Sequence, residues 1–275
     1  MKVALSDRTA AVLSSLRCNL FLTKSLEELL DSYRTAHPFP YLVLDDLFPS
    51  ERLDALLTEL PPPSSPKWVN ERHNRMIKSN LRSAVDLSDE AFRFASTLHS
   101  ASFLYFLSEI TGIEALLPDP YLSGAGYHVI PPGGKFDVHA DRNTDHFSGL
   151  ERRLAMLIYL NKAWDPQFGG QLELWNQDGS QREKVIEPVF NRTVIFEIGD
   201  KNFHAVQPVT ERSGRKRISF AVYYHTVGKK IAFHSTLFAP EIYQGKGQRV
   251  RGAIREVLPP ILFRALKGLT SNSNQ

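Results

Sequence analysis

Two textures of hydrophobic patterning divide the chain. Near the start, Leu26, Leu29 and Leu30 follow Ser25 at helical spacing, with Glu28 three residues beyond the serine. That capping-box pattern predicts a short helix over residues 25–34. After Pro40 the run YLVLDDLF reads as a strand, and Pro49 opens a helix through Leu56, Leu57 and Leu60 that Pro61-Pro62-Pro63 ends. Residues 89–110 carry Phe92, Ala95, Leu98, Phe103 and Phe106 at approximate helical spacing and predict one long helix. From Tyr121 the texture changes to short runs divided by Gly, Pro and Asn: SGAGYHVI, GGKFDVHAD, RRLAMLIYLN, GGQLELW, RTVIFEI, HAVQPV and KRISFAVYYHT. With no helix between them, such runs predict a sandwich or barrel of antiparallel strands. LAMLIYL is apolar on both faces and should lie centrally. Residues 249–268 mix basic residues with Val257, Leu258, Ile261, Leu262, Phe263 and Leu266, predicting a helix whose apolar face packs on its own domain.

Composition narrows the class. The chain has 275 residues, 42% hydrophobic and 23% charged, which is enough for a full globular core. A formal net charge of +3 gives no case for nucleic acid or an anionic membrane as partner. One cysteine, Cys18, excludes an intrachain disulfide framework and Cys-rich metal sites, and fits a reducing compartment. The apolar run from Leu154 to Leu160 is far short of the roughly 20 residues needed to span a bilayer. Ser6, Asp7 and Arg8 interrupt the place where a secretory leader would have its apolar centre. The expectation is a soluble, cytoplasmic protein with no membrane span.

Nine histidines are candidates for chemistry, and position separates them. His139 and Asp141 stand two apart in GGKFDVHADRN, so an extended strand would turn both to one face, where a single ion could take an imidazole nitrogen and a carboxylate oxygen. Alone, that pair is a weak signal. His204, in the later strand-like segment DKNFHAVQPV, strengthens it. Two His and one carboxylate on neighbouring strands make a facial triad that leaves adjacent positions open, the arrangement suited to non-heme Fe(II). Arg217 opens the strand RISFAVYYH, with Ser219, Ala221 and Tyr223 on the same face by period two. A guanidinium at the mouth of an apolar strand suits bidentate capture of a carboxylate. Arg212, Arg215 and Lys216 read instead as a solvated turn. His128, in GYHVIPPGG, is either a group behind the ligands or a structural histidine. Trp164 and Trp175 read as packing, and Gly133-Gly134 and Gly169-Gly170 as turns.

In the order in which they occur, these elements resemble the Fe(II)/2-oxoglutarate-dependent dioxygenases, in the prolyl-4-hydroxylase-like branch. The likeness runs from Gly124 to Thr226 through H-A-D (His139, Asp141), I-Y-L-N-K (Ile158 to Lys162) followed by Trp164, G-G-x-L-x-L-W (Gly169 to Trp175), H-x-V-Q-P (His204 to Pro208) and R-x-S (Arg217, Ser219). It implies a mainly β fold, a double-stranded β-helix (cupin-like jelly roll) buttressed by N-terminal α-helices. It also implies Fe(II), 2-oxoglutarate and O2 as cofactor and co-substrates, with ascorbate as accessory, and succinate and CO2 as co-products. His139, Asp141 and His204 would be the catalytic iron ligands. Arg217 would pair with the distal carboxylate of 2-oxoglutarate, helped by Tyr159 and Ser219, with Leu172, Tyr223 and His128 lining that pocket. Retention of Asp141 favours hydroxylation over halogenation, and Arg142 departs from the Phe common in a subgroup reading H-A-D-F-N.

The organisation expected is an N-terminal helical segment over 1–37, a dioxygenase domain over 38–228 with its motif-bearing core at 121–228, and a C-terminal helical extension over 229–275. The branch implies a prolyl or other amino-acid-like substrate, peptidyl or free. Small-molecule biosynthetic oxygenases of the class remain a second reading, and a non-redox metal-binding jelly-roll sensor a third. Residues 61–80 and 142–151 are expected as rim loops that select the substrate.

Overall fold

The computed structural model describes Ser14 and residues 25–81, 84–228 and 236–239. In chain order the elements are α1 (Leu26–Arg34), β1 (Tyr41–Asp45), α2 (Ser50–Thr58), β2 (Val69–His73), β3 (Met76–Asn80), α3 (Asp89–Leu98) and α4 (Ala101–Thr111). The sheet strands β4 (Gly126–Ile130), β5 (Phe136–Ala140), β6 (Glu151–Tyr159), β7 (Leu172–Trp175), β8 (Arg182–Ile186), β9 (Arg192–Glu197), β10 (His204–Val206), β11 (Arg217–Thr226) and β12 (Leu237–Phe238) follow. Among the described residues no helix is long and apolar enough to cross a membrane.

The capping box of α1 is formed: Glu28 N donates to Ser25 Oγ, and Ser25 N donates to Glu28 Oε2. The single helix expected over 89–110 is two helices. His99 ends α3, and Ser100 takes an extended backbone from which its Oγ accepts the Phe103 N–H at 3.3 Å, capping α4. Serine competes for backbone donors better at a cap than inside a helix, and the break lets Phe94 and Leu98 share one core with Phe103 and Phe106.

Strand order is β1-β9-β6-β11-β4-β3-β5-β10-β7-β8, with β2 pairing β3 and β12 pairing β5. The chain from β4 to β11 passes back and forth between two layers, β9-β6-β11-β4 and β5-β10-β7-β8, which is a jelly roll. As its pattern required, β6 lies between β11 and β9. The seven apolar runs account for seven of these strands. An eighth strand in this region, the charged β8 (REKVI), has four of its five residues exposed and so carries no apolar signal in the sequence. Residues 61–80, expected as loop, hold the hairpin β2–β3, whose second strand docks on β4 and β5.

Two cores result. The larger packs the helices on the outer face of the first layer: Leu29, Phe48, Leu53, Phe94, Phe103 and Phe106 meet Leu154, Met156, Ile158, Phe220, Val222 and Tyr224. The smaller lies inside the roll, among Ala155, Tyr159, Leu172, Leu174, Val194, Phe196 and Tyr223. Of the helical extension expected over 229–275, residues 236–239 hold the short strand β12 rather than a helix. Its remainder, including residues 249–268, and Cys18 lie outside the described residues.

Candidate metal centre

One cavity of about 340 Å³ opens between the layers, lined among others by His128, His139, Asp141, Leu172, His204, Arg217, Ser219 and Tyr223. Tyr159, the remaining residue singled out in the sequence, is buried beside Arg217 at its wall.

β5 and β10 bring the first cluster together, because His139 and His204 are directly opposed partners in the antiparallel ladder. Asp141 lies just past the end of β5. Its Oδ1 is 3.4 Å from His139 Nε2 and 3.8 Å from His204 Nε2, and the candidate ligand atoms of all three lie within 4.8 Å of one another. Each ring is oriented from behind: His139 Nδ1 is 2.8 Å from the Asp137 carbonyl and His204 Nδ1 is 3.2 Å from the Asn202 carbonyl. Carbonyls only accept, so both Nδ1 atoms carry a proton and both Nε2 atoms face Asp141. His139 Nε2 is buried without a hydrogen-bond partner, which suits a metal ligand and leaves an ordinary core histidine unexplained.

Charge distribution agrees. Burial pushes His204 down to about 4, reinforced by His139 and opposed by Asp141, so its imidazole is neutral near pH 7. Loss of solvent would raise the Asp141 carboxyl, but His204 and His139 outweigh it and hold it well below the usual carboxylate range. A carboxylate and two imidazoles, all on one side, fit a divalent ion with remaining positions open.

The second cluster stands on β11 and β6. Arg217 is 2% exposed, and its Nε donates to the Gly170 carbonyl at 3.0 Å, one Nη to Ser219 Oγ and the other to Tyr159 Oη, both at 3.2 Å. All three acceptors are neutral, so the buried cation keeps a charge that favours an anion within its reach. Burial pulls its pKa below the ordinary arginine value, with Tyr159 opposing. Gly170 has φ +73°, and a Cβ there would press on Arg217 Cγ at 3.3 Å, so glycine lets its carbonyl reach Nε. Asn161 fixes the adjoining backbone: its Oδ1 accepts from Ile218 N at 2.7 Å, and its Nδ2 donates to the carbonyls of Pro188 and Ile218.

His128 is bonded to the Gly124 carbonyl at 2.9 Å, and burial pushes its pKa down to about 3, so it is a neutral wall residue. Trp164 and Trp175 pack away from the cavity, in separate clusters.

Glu71 and Lys78 fall within residues 61–80, expected at the rim, whereas the lining residues Phe136, Arg152 and Phe238 carry no sequence signal. Two β-bulges explain two of them. Tyr224 pairs with Leu154 but His225 pairs with Arg152, so one extra residue in β6 turns Arg152, and not Arg153, to the cavity. A similar shift between β5 and β10 brings Phe136 to the face of His139, where the two rings stack at 3.6 Å. Phe238 arrives from β12, which pairs it with His139.

Residues 125–225 match the model of the 2OG-Fe(II) oxygenase superfamily. Mouse prolyl 3-hydroxylase OGFOD1 is 30% identical over 182 residues, covering 63% of this chain and 30% of that protein. Human prolyl hydroxylase EGLN3 is 31% identical over 83 residues, covering 30% of this chain and 33% of that protein. The matched stretches thus span about a third of the length of these curated relatives. Among solved structures, a Pseudomonas putida prolyl-4-hydroxylase superposes with a TM-score of 0.54 at 20% identity, over 74% of this chain and 100% of the other. A Trichoplax adhaerens prolyl hydroxylase, in complex with a hypoxia inducible factor peptide fragment, superposes with a TM-score of 0.57 at 18% identity, over 82% and 94%. At such identities the two structures establish the shared jelly-roll fold.

Proposed function

We propose that this chain, whose residues 125–225 belong to the 2OG-Fe(II) oxygenase superfamily, is an Fe(II)- and 2-oxoglutarate-dependent dioxygenase hydroxylating a prolyl or other amino-acid-like substrate. The observation that carries this reading is the meeting of three free ligand atoms, on His139, Asp141 and His204, in the same cavity as the buried Arg217. Bound iron and 2-oxoglutarate would supply the activation of dioxygen, with succinate and CO2 as co-products.

The chain's own residues bind, orient and exclude water. His139, Asp141 and His204 hold the metal, their rings kept in register by the Asp137 and Asn202 carbonyls. Arg217 pairs with the far carboxylate of 2-oxoglutarate. The Tyr159 hydroxyl, which accepts from Arg217, has its own proton to donate to that carboxylate, and Ser219 adds a second hydroxyl. Leu172 and Tyr223 form apolar walls that keep solvent from the reacting groups. His128, neutral and tied to Gly124, adds no competing positive charge. The prolyl preference rests on the named relatives, which are prolyl hydroxylases.

The test is an oxygen pulse given to protein supplied with Fe(II) and 2-oxoglutarate, with succinate quantified. Wild type should form succinate and Asp141→Ala should form none. A wild type that binds metal but yields no succinate, with or without prolyl peptides, would favour the non-redox sensor and end the oxygenase reading.

A further inference from the structure

Four cations line the cavity, Lys78, Arg142, Arg152 and Arg217, against two anions, Glu71 and Asp141. If the proposed function holds, Asp141 is committed to the metal and Arg217 to 2-oxoglutarate. Glu71 and Lys78 face each other at 3.7 Å across the β2–β3 hairpin and offset one another. Arg142, which follows Asp141 in the chain, and Arg152 remain in the cavity lining.

Their local ion pairs supply one carboxylate for two guanidinium groups. Arg152 is 5% exposed and its Nε is buried without a hydrogen-bond partner. Its nearest carboxylate, Asp145, stands 3.9 Å away and is already bonded through Oδ2 to Phe147 N, Ser148 N and Ser148 Oγ. The guanidinium carbon lies over the Tyr223 ring, 4.2 Å from its centre, and one Nη is bonded to the Ser123 carbonyl. The half-buried Arg142 has an imidazole rather than a carboxylate as its side-chain partner, with an Nη 2.9 Å from His146 Nδ1. The bulge in β6 is a third observation. Without it, Arg153 would take the inward position; Arg153 instead pairs with Glu197 at 2.8 Å outside the cavity. A bulge that re-aims one buried arginine at a site, against a wall with a second arginine, is a device for placing positive charge.

We propose that the substrate carries a carboxylate beside the carbon that is oxidised, and that Arg142 and Arg152 receive it. With a prolyl substrate this carboxylate is either the side chain of a flanking Asp or Glu in a peptide or the α-carboxylate of free proline. Arg152 supplies a fixed guanidinium and Arg142, at the rim, a movable one, so that together they can grip both carboxylate oxygens.

The experiment uses protein loaded anaerobically with Fe(II) and 2-oxoglutarate, loading being checked by its visible absorption. Three fluorescein-labelled peptides, identical but for Asp-Pro-Asp, Asn-Pro-Asn or Lys-Pro-Lys centres, are titrated by fluorescence polarisation, and L-proline is titrated separately by calorimetry. The Asp peptide should bind about tenfold more tightly than the Asn peptide, and the Lys peptide most weakly. Arg142→Glu should reverse the order of the Asp and Lys peptides, and Arg152→Lys should retain it with a smaller span. If free proline is the source, L-proline binds and the peptides do not. Equal affinity for all three peptides, an unchanged order in Arg142→Glu, or loading without binding of either peptides or proline overturns this inference alone. Failure of wild type to load overturns the oxygenase reading and this inference with it.

Discussion

Strands β6 and β11 present two faces that follow opposite rules. The outer face offers Leu154, Met156, Ile158, Phe220, Val222 and Tyr224 to the helices, and the Tyr224 hydroxyl is satisfied by the Leu98 carbonyl at 3.1 Å. The inner face, one residue out of phase along the same strands, offers Tyr159, Arg217, Ser219 and Tyr223, and buries an arginine among neutral acceptors. Burial of apolar area stabilises the first face by roughly 25 cal/mol per Å². On the second, desolvated polar groups cost stability and gain binding capability. Period-two alternation thus lets one sheet serve both demands.

Substitutions should therefore split by face. The largest stability effect is expected at the outer face: Phe220→Ala, which removes a ring in contact with Phe94 and Tyr127, should cost about 3–5 kcal/mol in denaturant unfolding. The fraction that stays folded should bind 2-oxoglutarate as wild type does. Next, Arg217→Met should weaken 2-oxoglutarate by about 2–5 kcal/mol in calorimetry, with stability equal to or above wild type because a buried uncompensated charge is removed. A loss of stability in that variant matching Phe220→Ala would erase the distinction between the faces.

A smaller effect concerns pH. His225 is fully buried with both ring nitrogens unpartnered, and burial pushes its pKa from 6.5 down to about 4, Asp119 pulling the other way. Between those values the unfolded chain takes up a proton that the folded chain refuses, so stability should fall as pH drops through this window. His225→Gln should flatten that part of the melting-temperature profile; an unchanged slope would remove His225 from the explanation. Smallest of all, Tyr159→Phe should cost about 1 kcal/mol in 2-oxoglutarate affinity, one hydrogen bond, with the metal still bound.

Most of the inner face was legible from residue order. His139, Asp141, His204, Arg217 and Ser219 sit on strands whose apolar neighbours announce them, and the structure brings all of them to one cavity. Arg152 and Phe136 were illegible because strict alternation fails at a bulge, and a bulge leaves no mark in single-residue chemistry. The hairpin β2–β3 resembles a loop in sequence because its residues are polar and largely exposed on β2, so neither face shows an apolar period. On the helical side the error ran the other way. Apolar spacing persists through Ser100, and the break there depends on one serine preferring a cap to a helix interior.

The central claim is that the two inner clusters act as one site, a metal held by His139, Asp141 and His204 and a dicarboxylate gripped by Arg217. Anaerobic titration of the metal-free protein with Fe(II) and then 2-oxoglutarate, followed by visible absorption, tests it most directly. The account expects a weak band that requires both additions, vanishes in His139→Ala, and in Arg217→Met appears only at much higher 2-oxoglutarate. Absence of the band in wild type, or a band insensitive to both substitutions, would contradict it.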